Sequence, residues 1–146
     1  MNPTLTRSLR YGYLTLILLF LLGIFAQAFF AGRIIFGIDT AAADESMHAS
    51  LGWPLAHMVA PAIFLLAFFV GGGRNFVVTS TAWGVIAFLM PIVATLDEDG
   101  PNDWEALHPV MAMVLLTLTL WLSYRAWTMV AEMRGHALKS ATPRAA

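Results

Sequence analysis

The histidines of this chain are its most chemically suggestive residues, because no cysteine competes with them. Without cysteine there can be no disulfide, thiolate nucleophile, iron–sulfur cluster or haem attached through Cys-x-x-Cys-His. His136 lies among charges near the C-terminus and reads as a solvated side chain. His48 and His108 each open a long apolar stretch. If those two stretches run in the same direction, both imidazoles sit at similar depth, an arrangement that suits two axial ligands of one haem iron. Gly52 follows His48 by one turn and Ala112 follows His108 by one turn, so small residues leave room for a flat macrocycle. Arg33 is the lone cation among acidic residues at that end, where it could pair with haem propionates. The competing reading is structural: both imidazoles lie near a water interface and follow acidic residues that they could hydrogen-bond.

His57 lies further along the same stretch as His48, about two and a half turns deeper and on the opposite helical face. An ionisable residue inside an apolar span is a functional candidate. It could ligate a second haem or a chlorophyll magnesium, or serve a small transporter. Structurally, it could instead bond a carbonyl freed by Pro54 or Pro61, or a nearby Ser or Thr. Gln27, within Ala26-Gln27-Ala28, reads first as an interhelical hydrogen-bonding residue and second as a pocket lining. Thr79-Ser80-Thr81 reads as side chains bonded to their own helix backbone. The acidic run Asp97–Asp103 lacks the EF-hand spacing and reads as a solvated turn. There is no phosphate loop, no His-Glu-x-x-His motif and no basic stripe for nucleic acid.

The elements that must position these residues follow from composition. Hydrophobic residues make up 59% of the chain and charged residues 12%, against about a quarter charged in soluble domains. Four stretches lack Asp, Glu, Lys and Arg: Tyr11–Gly32, Ala49–Gly73, Asn75–Leu96 and Ala106–Tyr124. Each is near the roughly 20 residues that a helix needs to cross a bilayer, and without water each must be helical. The fold expected is an all-α integral membrane four-helix bundle, one domain over 1–146, with spans near 11–32, 48–72, 75–96 and 106–128. Ala26-Gln27-Ala28 also resembles a signal-peptide cleavage site, but the apolar run before it is long for an h-region, so it is read as a span.

Charge orients the bundle. Arg7, Arg10, Arg74, Arg125, Arg134, Lys139 and Arg144 fall at one end, opposed there only by Glu132. The other end holds Arg33 and the remaining acidic residues. The positive-inside rule then puts both termini in the cytoplasm and loops 33–47 and 97–106 outside. Asp44 or Ser46 is expected to cap the second span, Asn102 with Glu105 a lead-in to the fourth, and the tail after Arg134 is expected to fray. Pro54, Pro61, Pro91 and Pro109 should kink or start helices. Gly23, Ala31, Gly52, Ala56, Gly84 and Ala112 are expected to face inward, where small residues let membrane helices approach.

The order of features resembles an uncharacterised bacterial family of small four-span membrane proteins, over about Gln27 to Ala126. The carriers are Gln27 with Ala31-Gly32 and Phe36, His48 with Leu51-Gly52, and Leu107-His108-Pro109 with Ala112. That pattern is distantly similar to one half of haem A synthase, a four-helix unit with a histidine on its second and fourth helices. The resemblance implies haem ligands at His48 and His108 and a bacterial inner membrane location. The third span often carries a Gln in that family, and here Trp83–Met90 has none.

Three functions follow as expectations. The first is a haem b bundle in electron transfer or haem handling. The second is an accessory subunit of a larger respiratory or photosynthetic membrane complex, in contact with lipid, pigment or other subunits. The third is a small transporter using His57. None requires the chain to be an enzyme on its own. Reporter fusions at Asn75 and Ala146 should both give cytoplasmic signals; an extracytoplasmic signal at either would overturn the orientation.

Overall fold

The structure, a computed structural model, describes residues 2–37, 41–94 and 107–141, and within these the side chains of all but 41–45 and 136–141. Five α-helices follow in order: α1 (Pro3–Ile35), α2 (Ala41–Pro54), α3 (Ala60–Ala67), α4 (Gly73–Val93) and α5 (Leu107–Ala141). A π-helical turn, Leu55–Val59, joins α2 to α3. Four spans result that are long and apolar enough to cross a membrane: Pro3–Ile35, Ser46–Ala67, Gly73–Val93 and Leu107–Gly135.

Local chemistry sets several of the ends. The Asn2 side chain accepts the Thr4 N–H at 2.9 Å and caps α1, with Pro3 in the first turn where no N–H is needed. In the turn between the second and third spans, Gly71 and Gly73 have φ of 73° and 80°, a region that costs a residue with a Cβ more than glycine. Pro54 and Pro61 bracket the π turn. The Ala60 N–H reaches back to the Leu55 carbonyl, and Pro61 falls in the first turn of α3, where its missing donor is harmless.

Several boundaries differ from expectation. Arg33 belongs to the last turn of α1 rather than to a loop, where its charge complements the helix dipole. α2 starts at Ala41, so Asp44 and Ser46 lie inside it and do not cap it. α5 runs on to Ala141, past the expected fraying point at Arg134. The physical reason is common to all three: a charge-free stretch measures hydrocarbon thickness, whereas a helix continues into the interface wherever its sequence tolerates it. Asn102, Glu105 and the acidic run 97–103 lie outside the described residues.

Around the bundle α1 packs on α2, α3 and α5, while α4 packs on α3 and α5. The second and fourth spans therefore face each other along one diagonal and the first and third along the other. One spacing recurs in the buried residues of three spans: Ala56, Ala60, Ile63 and Ala67; Phe76, Ser80, Trp83 and Ala87; Leu115, Thr119, Leu122 and Ala126. Tyr13, Ile17 and Phe20 follow it in the first. Steps of four and three residues are the seam of helices packed knobs-into-holes at a shallow angle. The opposite faces carry Leu22, Phe25, Phe29, Met58, Phe69, Val110 and Met113, all exposed. A bundle that is apolar outside as well as in belongs in lipid.

The small residues expected inward are indeed none of them exposed: Ala56 is buried, and Gly23, Ala31, Gly52, Gly84 and Ala112 are half-buried. A methyl on Gly23 would stand 2.6 Å from Leu55 Cδ1, and one on Gly84 would stand 3.4 Å from Phe64 Cβ.

Of the buried polar residues Ser80, Thr119 and Ser123, the first two are paired across helices, and Ser123 Oγ has no partner among the described residues. The Trp83 indole N–H donates to Thr119 Oγ at 2.8 Å, and the Thr119 hydroxyl donates to the Leu115 carbonyl at 2.6 Å. Tyr13 Oη and Ser80 Oγ are 3.3 Å apart, so Ser80, expected to bond its own helix, joins α4 to α1 instead. Thr81 does bond its own helix, at Val77 O. Arg10 donates to the carbonyls of Val70 at 2.9 Å and Met129 at 3.4 Å, tying three spans together at one end. Thr119→Val would leave the Trp83 N–H unpaired in the core and should cost about 1–2 kcal/mol. Trp83→Ala should cost about 3–5 kcal/mol through the cavity it leaves. Thermal unfolding in detergent measures both; a Thr119→Val protein as stable as the wild type would contradict the pairing.

Candidate functional site

His48 and His108 meet on the diagonal between the second and fourth spans. His48 lies on α2, and His108 lies in the first turn of α5. Their ring centroids are 6.2 Å apart with planes at 62°. Both imidazoles are half-buried.

Each ring is fastened to the span that precedes its own. The His48 Nδ1 lies 3.2 Å from the backbone oxygen of Gln27 on α1. The His108 Nδ1 lies 3.3 Å from the backbone oxygen of Met90 on α4. Both contacts are at the long end of the N–H···O range. A carbonyl only accepts, so a neutral ring in either place carries its proton on Nδ1 and keeps its lone pair on Nε2. That arrangement is typical of metal-ligating histidines, whose second nitrogen donates to a carbonyl or carboxylate that fixes tautomer and ring direction.

Gln27 contributes twice. Its side-chain amide also donates to the His48 backbone oxygen at 2.9 Å, so α1 and α2 are joined by a reciprocal pair at one residue from each. Gly52 makes room for this. A methyl at Gly52 would stand 3.4 Å from Gln27 Nε2. The Gln27 amide is thus the immediate neighbour of Gly52. Ala112 is half-buried one turn beyond His108. The Arg33 guanidinium stands over the Phe29 ring at 5.8 Å. The acceptor for His108 is a backbone oxygen, which any side chain at position 90 would supply.

His57 sits in the π turn and does not join the pair. Its Nδ1 lies 3.2 Å from the Trp53 carbonyl oxygen, one turn back in its own span. Its ring stacks on Trp53 at 4.4 Å and meets the edge of Phe88 at 5.0 Å. This matches the carbonyl-bonded alternative in kind, though the acceptor belongs to Trp53 and is not one that a proline frees.

The donor set suits a haem iron. Two imidazole nitrogens each about 2 Å from one metal put their ring centroids roughly 6 Å apart, which is the separation seen here. A porphyrin supplies four equatorial nitrogens of its own and asks the protein for two axial ones. Among the described residues no group of three or more His, Asp or Glu converges as a bare metal ion would require.

The sequence pointed to the histidine pair through position and depth. The Gln27 clamp and the Met90 carbonyl gave no such signal, because backbone oxygens carry no mark in a sequence. Comparison with protein-family models, with curated proteins and with solved structures finds no match to this chain.

The clamp has a steric test. Gly52→Ala leaves a tight contact that the flexible Gln27 amide can relieve, so its effect should be small. Gly52→Val adds bulk that the amide cannot clear and should cost about 1–3 kcal/mol. Thermal unfolding of the two variants side by side measures this, and equal stability would contradict the contact.

Proposed function

We propose that this chain is a multi-pass protein of the cytoplasmic membrane, with both termini inside, that holds one haem b between His48 and His108. The observation that carries the proposal is the pair itself: two imidazoles 6.2 Å apart across a bundle diagonal. Their Nδ1 atoms lie within hydrogen-bonding distance of carbonyls of two different neighbouring spans. Such bonds orient both rings and favour Nε2 as the ligating nitrogen in each.

Haem bound there would supply one-electron transfer. The protein's own part is separate from that chemistry. Gln27 and Met90 hold the ligands in one tautomer, so that binding need not pay to reorient them. Leu115 on the fourth span and Trp83 on the third are buried and apolar. Arg33 at the end of α1 is the candidate partner for propionates, on the strength of being the only cation of the acidic end. These features support electron transfer or haem handling above transport, since His57 is engaged with Trp53 and Phe88.

Protein purified from haem-replete cells should show a Soret band that shifts on reduction. His48→Ala and His108→Ala should each abolish it while membrane insertion persists, because insertion depends on the apolar spans. His57→Ala should retain it. No Soret band in the wild type, after haem supplementation, would leave the accessory-subunit reading in its place.

A further inference from the structure

Away from the histidines, a second cluster of functional groups stands at the end of the bundle that carries the termini. We propose that Arg7, Tyr11 and Arg134 form a binding site for the phosphodiester headgroup of an anionic phospholipid.

Arg7 and Tyr11 are one turn apart on α1, and the Arg7 guanidinium stands over the Tyr11 ring at 5.9 Å. Arg134, on α5, reaches the same ring at 5.6 Å, and its Nε donates to the Tyr11 hydroxyl at 2.9 Å. Two guanidinium groups from two spans therefore converge on a single phenol. The phenol accepts the Nε–H of Arg134, one of the five N–H donors that each guanidinium carries. Both arginines are exposed while Tyr11 is half-buried.

Two like charges held on one ring call for an anion, and the sequence offers little at this end. Glu132 is its only acidic residue. Seven cations stand against that one carboxylate in the sequence of this end. The other arginines here show what a purely structural role looks like. Arg10 donates to the carbonyls of Val70 and Met129, and Arg125 stands over Trp121 at 5.9 Å, with no second cation there among the described residues.

The flat guanidinium fork matches phosphate oxygens two at a time, so a pair of forks suits one phosphodiester. Its depth favours a lipid as the source. Tyrosine at the end of an apolar span marks the headgroup level, and the lipid-facing side chains Leu18 and Leu19 continue inward from it on α1. Clusters of arginine beside a span attract anionic lipid. The proposal is independent of haem and stands or falls separately from it.

The test uses the full chain in phosphatidylcholine vesicles with and without phosphatidylglycerol, and with inorganic phosphate as a separate arm. Phosphatidylglycerol should raise the thermal midpoint and be retained by the protein in native mass spectrometry; inorganic phosphate should do neither. Arg7→Gln and Arg134→Gln should each weaken lipid retention by roughly tenfold. Arg125→Gln, one more lost charge at the same end, should leave it unchanged. Tyr11→Phe keeps the ring and loses only the hydroxyl, so it should weaken retention less than Arg134→Gln. It also guards against a misfolded arginine variant, with far-ultraviolet circular dichroism as the check. Equal retention by wild type and the Arg7→Gln/Arg134→Gln double variant would overturn the proposal. So would equal loss in Arg125→Gln, which would mean general charge attraction, or equal stabilisation by inorganic phosphate.

Discussion

Hydrocarbon offers no hydrogen bonds, so every polar group inside a membrane bundle must find its partner within the protein. Much of this structure follows from that constraint. Trp83 finds Thr119, Tyr13 finds Ser80, and Arg10 finds two backbone oxygens. Each of these bonds joins different spans. Lipid tails compete on equal terms with apolar side chains, so apolar contact alone discriminates weakly between one helix pairing and another. Paired polar groups, placed along a seam of small and large residues stepped by four and three, supply the discrimination.

The histidine pair is the same constraint put to another use. His48 and His108 sit on spans that face each other across a diagonal. Each must satisfy a ring nitrogen, and each does so on an adjacent span, at Gln27 and Met90. Satisfying Nδ1 in this way settles the tautomer and directs the remaining lone pair to Nε2. Bonds that serve the packing of the bundle thus also orient both rings. His57 shows that the coupling is not automatic: its bond closes on its own span, and its ring faces Trp53 and Phe88 rather than another imidazole.

Much of this was legible in the residues. Four charge-free stretches gave four helices, and the depth of His48 and His108 brought them together. The inward turn of Gly23, Gly52 and Gly84 followed from packing preference. The core seam was hidden, because helices that are apolar on every face show no periodic contrast from which to read a buried side. Helix ends were hidden for a different reason. Pro3 starts α1 well before the charge-free stretch, since Arg7 and Arg10 are good helix formers and sit comfortably at the interface. The contact of Gly52 with the Gln27 amide needed three dimensions, because the two residues are far apart in the sequence.

How the two imidazoles are used shows in the coordination state of a bound haem. The purified protein loaded with one ferric haem would be studied by electron paramagnetic resonance and resonance Raman spectroscopy. Two axial imidazoles hold iron six-coordinate and low-spin, so that state is expected in full occupancy, in both the ferric and the ferrous protein. A five-coordinate, high-spin spectrum, or a haem lost on gel filtration, would contradict it.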